Sequence, residues 1–316
     1  MNAPGQFPDE ISSDGEFERQ EDAFRAQVST DGSTPHAVES GRYHLYVSLA
    51  CPWAHRTVIV RVLKELEPHI GLTVVDPWRD ERGWAFRDGD GFSADPVNGF
   101  KFLREAYEAS KPGYRGRYTV PVLWDKKLGC IVNNSEDDIC RMFDGPFAAL
   151  SGTRVATLFP SALAQAHEKL AQHIYETINN GVYRAGFATS QAAYERACRR
   201  LFASLDELEE RLTSQRFLFG AVPVEADWRL FCTLVRFDAV YVGHFKCNLR
   251  RIADLPALQG YLCDLYQQPG IADTVNLAHI KRHYYATHDD INPTGIVPLG
   301  PELNFAALHD RARLGE

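Results

Sequence analysis

The fold of this chain is decided by Ser48–Arg56, which reads SLACPWAHR. The segment before it, Tyr43–Val47, is mostly apolar and predicts a short strand. Apolar residues then recur at positions 59, 62, 63 and 66, and this spacing predicts a helix. Cys51 therefore falls at a strand-to-helix turn, and Pro52 is suited to the first position of that helix.

A cysteine at such a turn lies in a distinctive electrostatic environment. The backbone N–H groups at the start of a helix have no helical partner and carry partial positive charge. A thiol held beside them ionises more readily than a free thiol, and the thiolate is the nucleophilic form. A buried structural cysteine is the alternative, but the proline, the tryptophan and the basic pair that follow favour the reactive interpretation. The sequence therefore predicts that Cys51 is a nucleophile.

Bulk composition excludes several classes of function. The chain has 316 residues, of which 45% are hydrophobic, which is enough for about two domains with packed cores. Its formal net charge is -8 and it has no long basic run, so we expect no nucleic-acid partner. No apolar run is long enough to cross a bilayer, and the polar N-terminus lacks a signal-peptide pattern. We therefore expect no membrane partner.

The cysteines and histidines favour free thiols over a metal site. Seven cysteines are scattered without a Cys-x-x-Cys pair, which is typical of a reducing, cytoplasmic setting. His279, His283 and His288 lie near one another, but no cysteine or carboxylate completes a ligand pattern around them. We expect these histidines to have structural roles, and we expect no metal.

Residues 1–41 are predicted to form an N-terminal arm. The segment is polar and contains glycine and proline. Two aromatic and two basic residues within it, Phe17, Arg19, Phe24 and Arg25, are able to fasten the arm to the body of the protein. A loosely ordered arm is equally compatible with this composition.

Residues 42–148 are predicted to form a thioredoxin-like domain. The first strand, the Cys51 helix and a second strand at Leu72–Val75 make a βαβ unit. The loop Asp76–Asn98 is rich in glycine, aspartate and tryptophan, and long irregular loops of this kind are often functional. The remaining predicted elements are a helix at Phe100–Ala109, a strand at Thr119–Trp124 that contains Pro121, a returning strand at Cys130–Val132, and a helix that starts at an N-cap Ser135 and ends near Phe143.

The rest of the chain, 155–316, is predicted to be an all-helical domain behind a linker at Gly145–Pro160. Apolar spacing predicts helices around residues 163–181, 194–212, 227–242, 256–267 and 275–285. Three prolines and two glycines in Ile291–Pro301 predict an irregular tail. The predicted fold class is α/β plus all-α, with a thioredoxin-like domain followed by a helical domain.

Several long motifs resemble those of one family, in the same order. They are Tyr43–Arg56 (YHLYVSLACPWAHR), Gly116–Lys127 (GRYTVPVLWDKK), Asn179–Phe187 (NNGVYRAGF), Val235–Cys247 (VRFDAVYVGHFKC) and Asn292–Ile296 (NPTGI). Through these motifs the chain resembles the glutathionyl-hydroquinone reductases, the xi class of glutathione transferases, from about Glu16 to Gly300. The resemblance implies a glutathione-binding thioredoxin-like domain, a helical C-terminal domain and a homodimer.

The resemblance also implies a reaction with two thiol steps centred on Cys51. The Cys51 thiolate attacks the sulfur of an aromatic glutathionyl-hydroquinone, the hydroquinone leaves, and Cys51 is held as a mixed disulfide with glutathione. Position 54 is alanine, so the motif contains no second thiol to resolve that disulfide. A second glutathione therefore resolves it and releases oxidised glutathione. Glutathione is a co-substrate in this scheme, and no permanently bound cofactor is implied.

Three tyrosines are assigned roles by the same resemblance. Tyr183 corresponds to the proton donor to the leaving aryl carbon. Tyr241 and Tyr284 correspond to residues that lower the cysteine pKa by donating hydrogen bonds to the thiolate. For the third position the neighbouring Tyr285 stays an alternative. Without the resemblance, each of these residues would be read as a core aromatic with a satisfied hydroxyl.

Glutathione-binding residues are implied as well. Trp84 and Arg117 match residues that contact the tripeptide in the family, and Arg117 is able to pair with a terminal carboxylate. The backbone of Val120 would be exposed to a ligand by a cis bond to Pro121. It could then hydrogen-bond to the peptide-like middle of glutathione.

The chain departs from the family pattern at two helix starts. Ser135 and Glu136 suit the carboxylate and the ammonium of the γ-glutamyl group, but the family usually reads Asn-Glu-Ser here and this chain has the reverse order. The division of roles between the two residues therefore stays open, and a capping box with Asp138 is also compatible. At Val224 the family has a threonine, and the lost cap should cost about 1 kcal/mol of helix stability.

Two other functions remain compatible with the sequence. One is an omega-like thiol transferase that reduces dehydroascorbate or mixed disulfides with the same cysteine. The other is a glutathione-transferase-like binding protein that has lost catalysis, which the reversed Ser135-Glu136 pair favours. The intact set of Cys51, Tyr183 and Tyr241 argues against that loss.

Overall fold

The computed structural model describes residues 10–151 and 156–315. The first nine residues of the predicted arm, residues 152–155 of the predicted linker, and residue 316 lie outside this part. The described chain divides into two compact units. The sheet unit contains 21–151, 156–157 and Asp273–His283, and the helical unit contains 10–20, Leu158–Ala272 and 284–315.

The sheet unit contains a four-stranded sheet with the strand order β2-β1-β3-β4. β1 and β2 are parallel, with Tyr43 opposite Ile70, and the other two pairs are antiparallel. This topology confirms the predicted thioredoxin-like fold. The elements are β1 (Tyr43–Val47), α1 (Pro52–Leu63), β2 (Ile70–Val74), α2 (Leu103–Ser110), β3 (Val122–Asp125), β4 (Cys130–Asn133) and α3 (Glu136–Asp144).

Strand β3 differs from its predicted bounds at both ends. It begins at Val122, which pairs with Tyr46, since Pro121 has no N–H to give to a ladder. It ends one residue later than predicted, on the fully buried Asp125. Arg42 donates to both oxygens of that carboxylate, at 2.9 and 2.6 Å, and His36 Nδ1 lies 2.9 Å from it. Burial alone would raise the pKa of Asp125, but these hydrogen bonds hold it below its ordinary value.

The described part of the arm is fastened to the body rather than loose. In the sheet unit, Phe24 N–H donates to Asn134 Oδ1 at 2.8 Å, and Ala26 N–H donates to Val132 O at 3.1 Å. Arg25 pairs with Asp138 in the first turn of α3. Backbone and side-chain bonds therefore both hold this stretch.

The helical unit is built mainly from long helices joined by irregular segments. Its helices are α4 (Ala164–Ile174), α5 (Gly181–Gly186), α6 (Gln191–Ser214), α7 (Glu225–Arg236) and α8 (Pro256–Tyr266), and α9 (Leu277–Thr287) starts in the sheet unit and ends in this one. Two predicted helices are interrupted by π-helical turns, Tyr175–Asn179 and Phe237–Tyr241. In the described part of the chain, no helix is both long and apolar enough to span a membrane.

Helix α7 starts without an N-cap side chain, as expected for Val224. Asp227 compensates in part, because its buried carboxylate accepts from the N–H groups of Val224 and Leu218, each at 2.8 Å. Tyr261 Oη donates to the same carboxylate at 2.8 Å. Burial is the largest influence on this carboxyl group and raises its pKa to about 6.

We expect Asp227→Ala to lower the free energy of unfolding by about 2–5 kcal/mol, because it leaves buried donors without an acceptor. Chemical denaturation measures this loss. An acid whose pKa rises on folding stabilises most below its unfolded value, here 3.8, and that contribution disappears as the pH rises through about 6. The variant should therefore lose this part of the pH dependence. Asp254→Ala removes an exposed carboxylate with a similar capping role, and should change stability little.

Candidate functional site

Cys51 lies where the sequence places it, as the N-cap of α1 with Pro52 in the first turn. The first turn of α1 carries no acidic residue, so no carboxylate of that turn opposes a negative charge on the sulfur. The Cys51 Sγ lies 3.7 Å from the carbonyl oxygen of Val120, and the Val120–Pro121 bond is cis. The structure thus brings the predicted nucleophile together with one predicted glutathione-binding residue.

Two buried side chains hold α1 beyond its first turn. His55 Nε2 lies 2.8 Å from Thr274 Oγ1, within the sheet unit. Arg56 is only 2% exposed, and its guanidinium contacts Glu136 Oε1 at 3.1 Å and also pairs with Asp137. Arg56 therefore ties the helix that follows Cys51 to the start of α3, where Ser135 is the N-cap.

The start of α3 differs from a capping box. Ser135 is the N-cap, but its hydroxyl makes no capping hydrogen bond, and its own N–H donates to Asn133 Oδ1 at 2.7 Å. Asp138 pairs with Arg25 and accepts from Asn133 Nδ2 instead. The capping-box interpretation is therefore wrong, because Ser135 makes no capping bond and Asp138 bonds to other residues. The start of α3 therefore carries the Ser135 hydroxyl next to the carboxylate of Glu136, which is paired with Arg56.

Trp84 is buried against another ring, whereas Arg117 is half-buried in an irregular segment. Trp84 is only 4% exposed, its ring stacks on that of His283 at 4.8 Å, and the Arg79 guanidinium lies 5.5 Å from its ring. His283 Nδ1 is itself 2.9 Å from the carbonyl oxygen of Pro77. Arg117 is half-buried in the segment that leads to Val120, and its carbonyl accepts a hydrogen bond from a tyrosine hydroxyl at 3.1 Å.

The helical unit brings the three predicted tyrosines together into what we call the tyrosine cluster: Tyr183, Tyr241 and Tyr284. The Tyr284 hydroxyl lies 2.5 Å from that of Tyr183 and 3.1 Å from that of Tyr241, so it is the centre of a hydroxyl chain. Tyr285 lies outside this chain, since its hydroxyl donates to the carbonyl of Ala239 at 3.4 Å. The geometry favours Tyr284 over Tyr285 as the third member.

All three tyrosines of the cluster are buried, and the burial of Tyr241 and Tyr284 keeps their hydroxyl groups protonated. Burial raises the pKa of both Tyr241 and Tyr284 well above 10.0, and the neighbouring Tyr183 adds to the rise while Arg236 opposes it. Phenols with such a raised pKa are neutral hydrogen-bond donors near pH 7. Both π-helical turns adjoin the cluster in sequence, because one ends at Tyr241 and the other ends just before α5, which carries Tyr183. Such turns are frequent at functional sites.

Sequence reasoning missed three residues that contact the predicted site residues. Arg56 was noted only as part of a basic pair, Arg19 only as an anchor of the arm, and His283 as a structural histidine. Helical spacing did not mark Arg56, because it follows Cys51 by five residues and its partners, Glu136 and Asp137, lie far along the sequence. Nothing local marked Arg19 or His283, because their partners are distant in sequence.

Comparisons with known proteins agree with this architecture. The family described as Glutathione S-transferase, N-terminal domain matches residues 50–145, and Glutathione S-transferase, C-terminal domain matches residues 191–262. A four-stranded sheet with a cysteine at the start of its first helix, followed by a helical unit, thus defines a glutathione transferase.

Individual relatives show to which class of glutathione transferases the chain belongs. The glutathionyl-hydroquinone reductases YqjG of Escherichia coli and PcpF of Sphingobium chlorophenolicum are 49% and 47% identical to this chain, over 96% and 95% of it and 94% of each relative. The glutathione-bound structure of E. coli YqjG has a TM-score of 0.88 at 49% identity, over 91% of this chain and 96% of that one. The Xi glutathione-S-transferase of Phanerochaete chrysosporium has a TM-score of 0.89 at 46% identity, over 93% and 100%. The chain belongs to the Xi-class glutathione transferases, the family of the glutathionyl-hydroquinone reductases.

Proposed function

We propose that this protein reduces aromatic glutathionyl-hydroquinones to hydroquinones, with glutathione as the reductant. The observation that carries the proposal is the position of Cys51, a half-buried thiol at a helix N-terminus beside the Val120 carbonyl. The names of the relatives supply the substrate class, since both curated reductases act on glutathionyl-hydroquinones.

In the first step the Cys51 thiolate attacks the thioether sulfur of the conjugate. The new S–S bond forms as the aryl C–S bond breaks, and the electron pair of that bond remains on the aryl carbon. A proton must reach this carbon for the hydroquinone to leave, and we assign its delivery to Tyr183. The products are a free hydroquinone and a mixed disulfide between Cys51 and glutathione.

In the second step a glutathione thiolate attacks the glutathione sulfur of the mixed disulfide. Oxidised glutathione leaves and the Cys51 thiolate is regenerated. No cysteine follows at position 54, and this step therefore depends on an external thiol. Tyr241 and Tyr284 are assigned to stabilise the thiolate, a role that neutral phenol donors can fill.

Glutathione is proposed to bind through Trp84, Arg117, Val120, Ser135 and Glu136. The Val120 backbone would pair with the peptide-like middle of glutathione. The Ser135 hydroxyl makes no capping bond and is suited to the γ-glutamyl carboxylate at the start of α3. The carboxylate of Glu136 is suited to the ammonium group.

We expect Glu136→Gln to raise the KM for glutathione roughly tenfold, the effect of one charge-assisted hydrogen bond, with little change in kcat. Steady-state kinetics with varied glutathione measure this. Asp137→Asn is the matched control, because Asp137 also pairs with Arg56 but its side chain is 46% exposed, against 14% for Glu136. Equal effects in the two variants would show that loss of an Arg56 partner, and not ammonium binding, is responsible.

The proposal is tested by incubating the protein with glutathionyl-menadiol and glutathione and following menadiol and oxidised glutathione. One of each should form per conjugate consumed. Reduction of dehydroascorbate or disulfides without thioether cleavage would assign the chain to the omega-like thiol transferases instead. No turnover together with no retention on immobilised glutathione would indicate a protein that has lost both catalysis and binding.

The proposal also includes a cytoplasmic location and a homodimeric state. All seven cysteines lie in the described part of the chain and none of them forms a disulfide, which fits a cytoplasm that supplies reduced glutathione. We carry forward the homodimer implied by the resemblance, and light scattering on the purified protein would show a dimer mass if this is right.

A further inference from the structure

The N-terminal arm contacts the tyrosine cluster within the helical unit. Phe17 is 2% exposed, and its ring lies 5.4 Å from that of Phe187, the residue just after α5. Arg19 Nε donates to Asn180 Oδ1 at 3.2 Å, immediately before α5. The Arg19 guanidinium carbon lies 4.9 Å from the centre of the Tyr183 ring and 5.3 Å from that of Phe17. The cation therefore contacts the ring faces of both residues.

Other bonds hold this part of the arm independently of Arg19. Thr189 N–H donates to the carbonyl of Gly15 at 3.1 Å, and Ser190 Oγ donates to that of Asp14 at 3.0 Å. Arg196 on α6 pairs with Glu16 at 2.7 Å. Removing the Arg19 charge should therefore leave the arm in place.

We propose that Arg19 is a positioning residue for Tyr183, which fixes the ring of the tyrosine and stabilises the negative charge that its proton transfer leaves behind. A cation over an aromatic face is attracted by the electron density of the ring, and a phenolate ring is richer in electrons than a phenol ring. The interaction strengthens as the proton leaves, which is the condition for it to accelerate the step. The link to thioether cleavage rests on the proposed function, whereas the effect on Tyr183 ionisation does not.

Other titratable and charged groups lie near Tyr183, and a pH experiment must distinguish the ionisation of Tyr183 from theirs. Tyr284 and Tyr241 share its hydroxyl chain, and both stay protonated until well above pH 10. Arg236 is a second cation, and it acts on those two phenols. His288 lies against Tyr284, with ring centres 5.5 Å apart. A label on Tyr183 itself is therefore needed.

The test places 3-fluorotyrosine at position 183 and follows its fluorine resonance through a pH titration. We expect Arg19→Met to raise the midpoint of this titration and Arg19→Lys to give an intermediate value, because lysine restores the charge. Arg196→Ala weakens the arm without touching Tyr183 and should leave the midpoint unchanged. An unchanged midpoint in Arg19→Met would overturn the proposal.

A kinetic measurement on the unlabelled variants completes the test. Arg19→Met should lower kcat for glutathionyl-menadiol about 3- to 30-fold, the range of a cation–π contact, with unchanged KM for glutathione. Reduction of a glutathione mixed disulfide needs no proton on carbon and should be unaffected. Equal losses in both reactions would mean that Arg19 is only structural. If the unmodified protein cleaved no thioether, the proposed function would fail while the fluorine titration still decided the role of Arg19.

Discussion

We expect Cys51→Ala to abolish the release of menadiol from glutathionyl-menadiol, with a loss of roughly 10³-fold or more, because it removes the nucleophile of the proposed covalent mechanism. The reason is chemical rather than structural. Alanine keeps the turn in front of Pro52, but no other thiol is present in the Ser48–Arg56 motif. Mass spectrometry of the unmodified protein after one turnover without free glutathione should show one added glutathionyl group, and this adduct should be missing in the variant.

Cys130→Ser is the matched control for that experiment. Cys130 is the other cysteine that is not fully buried, and it lies at the start of β4. Burial is the main cause that raises the pKa of its thiol, so it should be a poor nucleophile at neutral pH. Activity retained in Cys51→Ala, or lost in Cys130→Ser, would contradict the assignment. Thiol alkylation against pH adds a second measurement, and for Cys51 we expect a midpoint below the ordinary value of about 8.5.

Tyr183→Phe is expected to separate the two half-reactions. Thioether cleavage should fall about 10²- to 10⁴-fold, the range for loss of a general acid, because the aryl carbon no longer receives its proton from the phenol. Exchange between Cys51 and a glutathione disulfide should continue at its original rate, since a thiolate leaving group needs no such proton. Single-turnover measurements of menadiol release and of disulfide exchange give the two rates separately.

Tyr285→Phe is the control for this second prediction. It removes a phenol hydroxyl close in sequence to the tyrosine cluster, and that hydroxyl bonds to a backbone carbonyl outside the hydroxyl chain. We expect little change in either half-reaction. Parallel loss of both half-reactions in Tyr183→Phe would instead indicate that the Tyr183 hydroxyl, which bonds to that of Tyr284, is needed for the fold of the helical unit.

The local pattern around Cys51 was enough to predict much of the sheet unit. β1 has the predicted bounds, and α1 begins at the predicted proline, because alternation, helical spacing and proline preference are all properties of neighbouring residues. The shifted end of β3 could not be predicted in this way, because it depends on residues that are distant in sequence. A buried aspartate is unfavourable in a strand unless it is paired, and the partners of Asp125 are Arg42 and His36, far away in sequence.

The residues of the candidate site were predicted on two different grounds. Cys51 followed from physical chemistry, and the three tyrosines followed only from the resemblance, since an isolated tyrosine has no sequence signal for catalysis. The choice between Tyr284 and Tyr285 needed coordinates, because adjacent positions on a helix point about 100° apart and only one of them reaches the hydroxyl chain. The π-helical turns also escaped prediction, since each is only five residues long and is too short to change the apolar spacing of the helix around it recognisably.

Asp273–His283 lies far along the chain, yet it is part of the sheet unit. Thr274 contacts His55 on α1, and the ring of His283 stacks on that of Trp84. A shortened gene that stops in the linker would therefore encode a polypeptide missing a piece of its own interior. Supplying that piece, either as a synthetic peptide or grafted behind a flexible spacer, should be the condition for obtaining the sheet unit on its own.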